Sequence, residues 1–129
     1  MSKEIIICFI IIILVISFNI LTTNFTQNTT KSINEKLEDL KEKLSEDDVQ
    51  KEEVKTANNE IIDEWQEKYE VLAYYIEHDE LEKVGTELTA LKSSIDVELY
   101  EDGIENLDRC IFILNHIKDK YGLKVKNIF

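Results

Sequence analysis

Residues 5–21 read IIICFIIIILVISFNIL, an uncharged run in which only Ser17 and Asn19 are polar. At 1.5 Å per residue, a helix over this run is roughly 25 Å long, at the short end of what crosses a bilayer core. Each Ile, Leu, Val or Phe contributes about −0.3 to −0.6 kcal/mol to insertion, so the run as a whole favours the membrane. The run therefore predicts a membrane-spanning helix in contact with the lipid bilayer. Its representative anchor residues are Ile5, Ile10, Leu14, Phe18 and Leu21.

An apolar run this close to the N-terminus is also typical of a secretory signal peptide that is removed after export. The residues SFNILTTNF at 17–25 offer no small-x-small cleavage pattern, and Cys8 lies inside the run, where no lipoprotein cleavage site falls. We therefore expect residues 1–21 to remain as a signal-anchor. The alternative is a secreted helical protein after signal cleavage.

The charges beside the run give little guidance on its orientation. Lys3 lies next to Glu4 on one side, and Lys31 and Lys36 follow on the other. A short N-terminal flank before a long C-terminal domain is typical of a signal-anchor. We therefore expect a single-pass protein of the cell membrane whose C-terminal domain is extracytoplasmic.

The composition favours helices and excludes one class of partner. The 129 residues include no proline and three glycines, which suits long helices rather than a fold with many turns. The 15 basic and 27 acidic residues give a net charge of −12, which repels nucleic acid. Arg109 is the only arginine. We expect no nucleic-acid binding.

Apolar residues at helical spacing begin after a polar stretch. Residues 22–31 predict a polar linker or a frayed continuation of the anchor helix. Four apolar residues then recur at steps of four, three and four, which places them on one stripe of an amphipathic helix. The stripe is narrow, as in a coiled coil. Its members are Ile33, Leu37, Leu40 and Leu44.

Three further helices follow from the same spacing. The second is predicted from about Ser45, which is placed to cap it, to Glu77, and the third from Asp79. The fourth begins at residue 99 or 100. Because the connections are short, neighbouring helices should be antiparallel. The predicted fold is all-α: a transmembrane helix followed by an antiparallel bundle of three to four long helices over residues 32–129.

The end of the chain changes pattern. Gly103 is placed to kink the fourth helix and Gly122 to end it. In residues 123–129 apolar side chains alternate approximately with polar ones, as in an extended segment. Such a segment either packs along the bundle or adds to a partner.

The sequence shows no arrangement typical of catalysis. His78 lies between two acidic residues at a helix end, where a solvated role is the simpler interpretation, and His116 with Asp119 lacks further ligands. Motifs for zinc proteases, phosphate-binding loops and serine hydrolases are absent. We expect no enzyme activity, no cofactor and no metal site.

An aromatic cluster is the one candidate for a ligand site. Trp65 and Tyr69 lie at helical spacing on the apolar stripe of the second helix, where packing in the core is the simpler role. The cluster comprises Trp65, Tyr69, Tyr74 and Tyr75.

The second half of the chain resembles an uncharacterised bacterial family of short, N-terminally membrane-anchored helical proteins. The resemblance rests on Trp65, on YIEHDELEKV at 75–84 and on NIF at 127–129, together with the apolar N-terminal helix. It implies a membrane-anchored helical domain of unknown function, sometimes encoded beside another small membrane protein. It implies no catalytic residues.

Two functions remain. The first is a helical interaction or scaffold protein that binds another envelope protein or itself, because the Ile33–Leu44 stripe has too few heptads to be stable alone. An exposed stripe would favour an external partner, and a buried one would remove this motive. The second is an extracytoplasmic sensor or small-ligand-binding module, which predicts a pocket beside the aromatic cluster.

Overall fold

A computed structural model of the chain describes residues 2–122, which form four α-helices. They are α1 (Lys3–Leu44), α2 (Lys51–Leu72), α3 (His78–Asp96) and α4 (Tyr100–Gly122). The predicted all-α fold is confirmed. The predicted extended segment at 123–129 lies outside the described residues.

α1 is one uninterrupted helix of 42 residues. Residues 22–30 contain no glycine or proline to break it, and they are helical. Three of their threonines, Thr26, Thr29 and Thr30, are buried, and the hydroxyl of Thr30 donates to the carbonyl of Thr26 at 2.9 Å. The polar stretch after the apolar run is therefore part of the bundle's packing.

The first half of α1 extends away from the other helices. Its apolar side chains, including Ile5, Ile10, Leu14, Phe18 and Leu21, are all exposed. Among the described residues, α1 is the one helix long and apolar enough to cross a membrane. Its most apolar stretch of 18 residues contains no buried residue.

The second half of α1 forms a four-helix bundle with α2, α3 and α4. α1 and α3 each pack against both α2 and α4, whereas α1 does not pack on α3 nor α2 on α4. Neighbouring helices are antiparallel. Between α1 and α2, for example, Lys36 pairs with Glu64 and Lys43 pairs with Glu53, so the two helices run in opposite directions.

The predicted stripe lies in the bundle core. All four of its residues are buried, together with apolar side chains from α2, α3 and α4. At about 25 cal/mol per Å² of apolar area, this burial is the main force holding α1 to the other helices. The stripe comprises Ile33, Leu37, Leu40 and Leu44.

The predicted start of the second helix is wrong. Ser45 ends α1, and its hydroxyl donates to the carbonyl of Lys41 at 2.8 Å. α2 begins at Lys51, close to Val54, its first buried apolar residue. Residues 45–48, SEDD, have no apolar side chain to hold a helical turn against the core, and Val49 is the first residue of the connection that packs against it.

Other predicted boundaries move less. α2 ends at Leu72, and α3 begins at His78 with Glu77 as its N-cap residue. α4 continues through Gly103, which does not interrupt it. A Cβ on Gly103 would come within 3.4 Å of Leu91 Cδ1, so this glycine allows α4 to approach α3 closely.

Candidate binding groove

A groove of about 640 Å³ lies between α2 and α3. Its apolar walls come from two turns of each helix and include Trp65, Leu81 and Leu88. Trp65, Leu81 and Leu88 are almost fully buried at its floor, and Ile62 and Tyr69 are half-buried beside them. The groove has the size of a typical small-molecule pocket and is open along one side.

Trp65 and Tyr69 form the α2 wall of the groove. The Trp65 ring is 4 % exposed and meets the edge of the Tyr69 ring at 6.3 Å between centroids and 73° between planes. The Tyr69 hydroxyl is 3.0 Å from Nδ1 of His78 at the start of α3. This hydrogen bond joins α2 to α3 at the end of the groove nearest the α2–α3 connection, and it holds the Tyr69 ring in place.

Gly85 forms part of the opposite wall, in the middle of α3. A glycine inside a helix costs about 1 kcal/mol relative to alanine. A Cβ at Gly85 would meet only Trp65 Nε1, at 3.9 Å, which is an ordinary contact. The chain's own packing therefore does not require this glycine, and its backbone is open to close approach from the groove.

The rims of the groove are polar and acidic. Gln66 and Glu70 lie on the α2 side, and Glu82, Thr86 and Thr89 on the α3 side. Within residues 2–122, neither Glu70 nor Glu82 has an ion-pair partner. An occupant that is apolar on one face and basic at its edges would match this surface.

The four aromatic residues singled out from the sequence do not form one cluster. Trp65 and Tyr69 line the groove, whereas Tyr74 is 88 % exposed at the end of the bundle. Tyr75 faces α1, where its hydroxyl lies 2.7 Å from the Thr26 hydroxyl and donates to the Thr22 carbonyl at 3.2 Å.

Sequence reasoning missed the α3 half of the groove. Gly85 is not among the residues singled out from the sequence, and Leu81 and Leu88 on either side of it have the helical spacing of core residues and are buried. The detectable signal was a glycine in the middle of a strongly amphipathic helix, at a position where no turn is needed.

A much smaller cleft of about 100 Å³ lies where the apolar half of α1 meets the bundle. Phe18, Asn19, Thr22 and Thr23 of α1 line it together with Tyr75 and Tyr121. Burial raises the pKa of both tyrosines, so both are neutral at physiological pH. This cleft marks the end of the bundle closest to the apolar run.

The other ionisable clusters hold helices together. Glu80 Oε1 lies 3.1 Å from Lys120 Nζ and 3.4 Å from His116 Nε2, which joins α3 to α4. Burial raises the pKa of the Cys110 thiol to about 12, so it remains an unreactive thiol. Among residues 2–122, no group of three or more His, Cys, Asp or Glu side chains is arranged to hold a metal ion.

The predicted interaction stripe is buried and is not available to bind a partner at the surface of the bundle. Ile33, Leu37, Leu40 and Leu44 are buried in the core between α1 and its neighbours α2 and α4, so the partner of this seam is the bundle itself. The motive for an external partner at the stripe is therefore removed. Any docking surface must lie elsewhere on the molecule.

Comparison with known proteins places the chain in a family. Residues 20–128 match DUF4363, a domain of unknown function, and the chain belongs to this family. The match covers the second half, which carries most of the resemblance, and extends back to residue 20, at the end of the apolar run. No curated protein and no solved structure matches the chain.

Proposed function

We propose that the chain is a membrane-anchored interaction protein whose bundle binds an apolar, basic segment of another envelope protein in the α2–α3 groove. The observation that carries the proposal is the open apolar groove beside Trp65, Tyr69 and Gly85. The exposed apolar half of α1 supports the anchor, because so many exposed Ile, Leu and Phe side chains are costly in water.

Gly85 supports a protein partner. A glycine that the chain does not need internally permits the backbone or a bulky side chain of a partner to approach α3 closely. The groove spans two helical turns on each side, roughly 12 Å, which fits one short helical or extended segment. Its aromatic walls are of the kind that anchors such segments.

Charge sets the nature of that partner. The unpaired Glu70 and Glu82 at the rims attract lysine and arginine and repel acidic segments. A second copy of the chain would bring the same acidic rims and the same net charge of −12. We therefore favour a different protein over self-association.

The experiment is site-specific photocrosslinking in living bacterial cells with the full-length chain. Benzoylphenylalanine is placed at Gln66 or Thr86 on the rims, and at Glu105 on the outer side of α4 as the matched control. We expect a discrete adduct from both rim positions, with the crosslinked partner segment apolar and basic. Equal adducts from position 105, or an acidic crosslinked segment, would contradict the proposal.

Gly85 provides the companion variants. Gly85→Leu fills the groove from its wall and should abolish the rim adducts, whereas Gly85→Ala should weaken them. Gly85→Ala should also raise the free energy of unfolding by about 0.5–1 kcal/mol, because a Cβ has space there and alanine favours the helix. Rim adducts that persist in Gly85→Leu would show that the contact lies outside the groove.

A small apolar ligand is the second candidate, and the groove's volume favours it. Trp65 is the only tryptophan, so its fluorescence reports on the groove directly. The purified full-length chain is titrated with the neutral probe N-phenyl-1-naphthylamine, with Gly85→Leu as the control for partition into lipid. Saturable energy transfer from Trp65 that Gly85→Leu removes would support a ligand site, and identical titrations would exclude it.

A further inference from the structure

The end of the bundle formed by the α2–α3 connection and the last turn of α4 lies level with the end of the apolar run. Phe18 and Asn19, inside the run, share a cleft with Tyr75 and Tyr121. The Tyr75 hydroxyl donates to the carbonyl of Thr22, which directly follows the run. We call this end of the bundle the base.

Because α1 is continuous through residues 18–30, the base has a fixed height relative to the apolar run. The run ends at Leu21, and the base contacts α1 from Phe18 onward. When residues 5–21 fill the hydrocarbon core, the base is therefore at the level of the lipid headgroups, a zone several ångströms deep. No flexible segment separates the two.

The base exposes one aromatic and one aliphatic side chain within three residues of each other. Tyr74 is 88 % exposed and Val71 is 45 % exposed, and the amide of Tyr74 donates to the carbonyl of Val71 at 3.2 Å. A tyrosine ring with its hydroxyl suits the boundary between hydrocarbon and water, where tyrosines are enriched in membrane proteins.

The charges of the base select the kind of lipid. Glu77, His78 and Asp79 are exposed there, and Lys120 is engaged by Glu80. Within residues 2–122, exposed Asp119 offsets Lys118 on the last turns of α4, which leaves the carboxylates of Glu77 and Asp79 in excess. Such a surface is repelled by anionic headgroups and is compatible with zwitterionic ones.

We infer that the base is a second membrane contact, in which Tyr74 and Val71 sit in the headgroup zone of a zwitterionic bilayer. The inference rests on the anchor of the proposed function. It adds that the bundle lies on the membrane surface instead of standing away from it. The α2–α3 groove, whose Tyr69 end is tied to His78, then opens close to that surface.

The test is depth-dependent fluorescence quenching of the full-length chain in phosphatidylcholine nanodiscs. In a Trp65→Phe background, single tryptophans are introduced as Tyr74→Trp at the base, Phe18→Trp in the run and Leu99→Trp at the opposite end of the bundle. Quenching is measured with 5-doxyl-phosphatidylcholine from the lipid and with acrylamide from the water. Retaining Trp65 and subtracting the parent signal gives a second measurement if Trp65→Phe alters folding.

We expect Tyr74→Trp to be quenched by the doxyl lipid to an extent comparable with Phe18→Trp. We also expect several-fold weaker acrylamide quenching than for Leu99→Trp. Replacing phosphatidylcholine by phosphatidylglycerol should reduce the lipid quenching at position 74. Equal behaviour at positions 74 and 99 would overturn the inference, as would stronger lipid quenching in phosphatidylglycerol.

Two further outcomes separate the causes of failure. If Phe18→Trp is not quenched by the lipid, the anchor itself is absent and the proposed function fails with it. If position 18 is quenched but position 74 is only shielded from acrylamide, Tyr74 contacts protein, such as a second copy, and the base does not contact lipid.

Discussion

Glu80 is a carboxylate held at the α3–α4 interface, with 9 % of its surface exposed. Burial opposes its ionisation, but hydrogen bonds from Lys120 and Tyr121 and the charges of Lys120 and His116 outweigh burial and lower its pKa. A carboxyl whose pKa is lower in the folded state stabilises the fold above its unfolded pKa, about 4.3. That stabilisation is lost as the pH falls through the folded pKa.

We therefore expect Glu80→Gln to flatten the acid side of the stability profile. Between about pH 6 and pH 3 the parent should lose more free energy of unfolding than Glu80→Gln, because the variant has no carboxyl to protonate. Urea unfolding followed by circular dichroism measures both profiles, with Glu105→Gln on the exposed side of α4 as the control. Parallel profiles for the parent and Glu80→Gln would show that this ionic contact does not stabilise the fold.

Single residues are where the sequence was least informative. Ser45 is a good N-cap residue by type, yet its hydroxyl closes the turn before it instead of opening a helix. Glu98 adopts a left-handed conformation with φ of 62°, while Leu99 and Glu98 donate to the carbonyls of Ser94 and Ile95 to close α3. Glycine is the residue that signals such a helix end, and a glutamate there gives no signal.

At the scale of the helices, continuity of α1 is the feature that links the apolar run to the core. Asn28 lies in the polar stretch, exposed but flanked by buried Thr26 and Thr29. Proline there would remove an intrahelical hydrogen bond and clash with the preceding turn, at a cost of roughly 3 kcal/mol or more.

We expect Asn28→Pro to lower the thermal unfolding temperature strongly in detergent micelles, as measured by circular dichroism. Asp47→Pro is the matched control, because residue 47 lies in the connection between α1 and α2 and its amide donates no backbone hydrogen bond to the residues described. If the two variants were equally mild, residues 22–30 would behave as a linker in solution.

The helices themselves were predictable because their apolar residues repeat at steps of three and four over many turns. The stripe of Ile33, Leu37, Leu40 and Leu44 was recognised, and all of it is buried. What the spacing does not reveal is which neighbour covers a stripe. A seam covered by neighbouring helices of the same chain has the same sequence pattern as a seam awaiting a partner.

For the whole molecule, orientation in the membrane is the property that the proposed function needs first. We expect the bundle outside the cytoplasm, because a short flank precedes the apolar run and a long domain follows it. In intact spheroplasts, added protease should degrade the bundle while a cytoplasmic control protein survives. Protection until the membrane is lysed would place the bundle in the cytoplasm, and a soluble product without residues 1–21 would indicate a cleaved signal.

The fold class followed from the composition and spacing of the whole chain, whereas the groove did not. Trp65 and Tyr69 were assigned mainly to the core, and Trp65 is indeed almost fully covered. The groove lies where Gly85 leaves α3 without a side chain, opposite the half-buried Ile62 and Tyr69 of α2. The size of the groove depends on the separation of α2 and α3, which the spacing of apolar residues within each helix does not specify.

The fixed distance between the base and the apolar run has a consequence for membrane thickness. A protein with a flexible tether adapts to a thicker bilayer by letting the tether enter the interface. Here the run of seventeen residues from Ile5 to Leu21 is joined rigidly to a bulky bundle. In the proposed membrane-anchored state, a bilayer thicker than the run would be thinned around the protein, at a cost of fractions of a kcal/mol per Å. With residues 5–21 in the membrane, as proposed, such a molecule should concentrate where the bilayer is thin, and α1 would act as a ruler that sorts the protein between membrane regions.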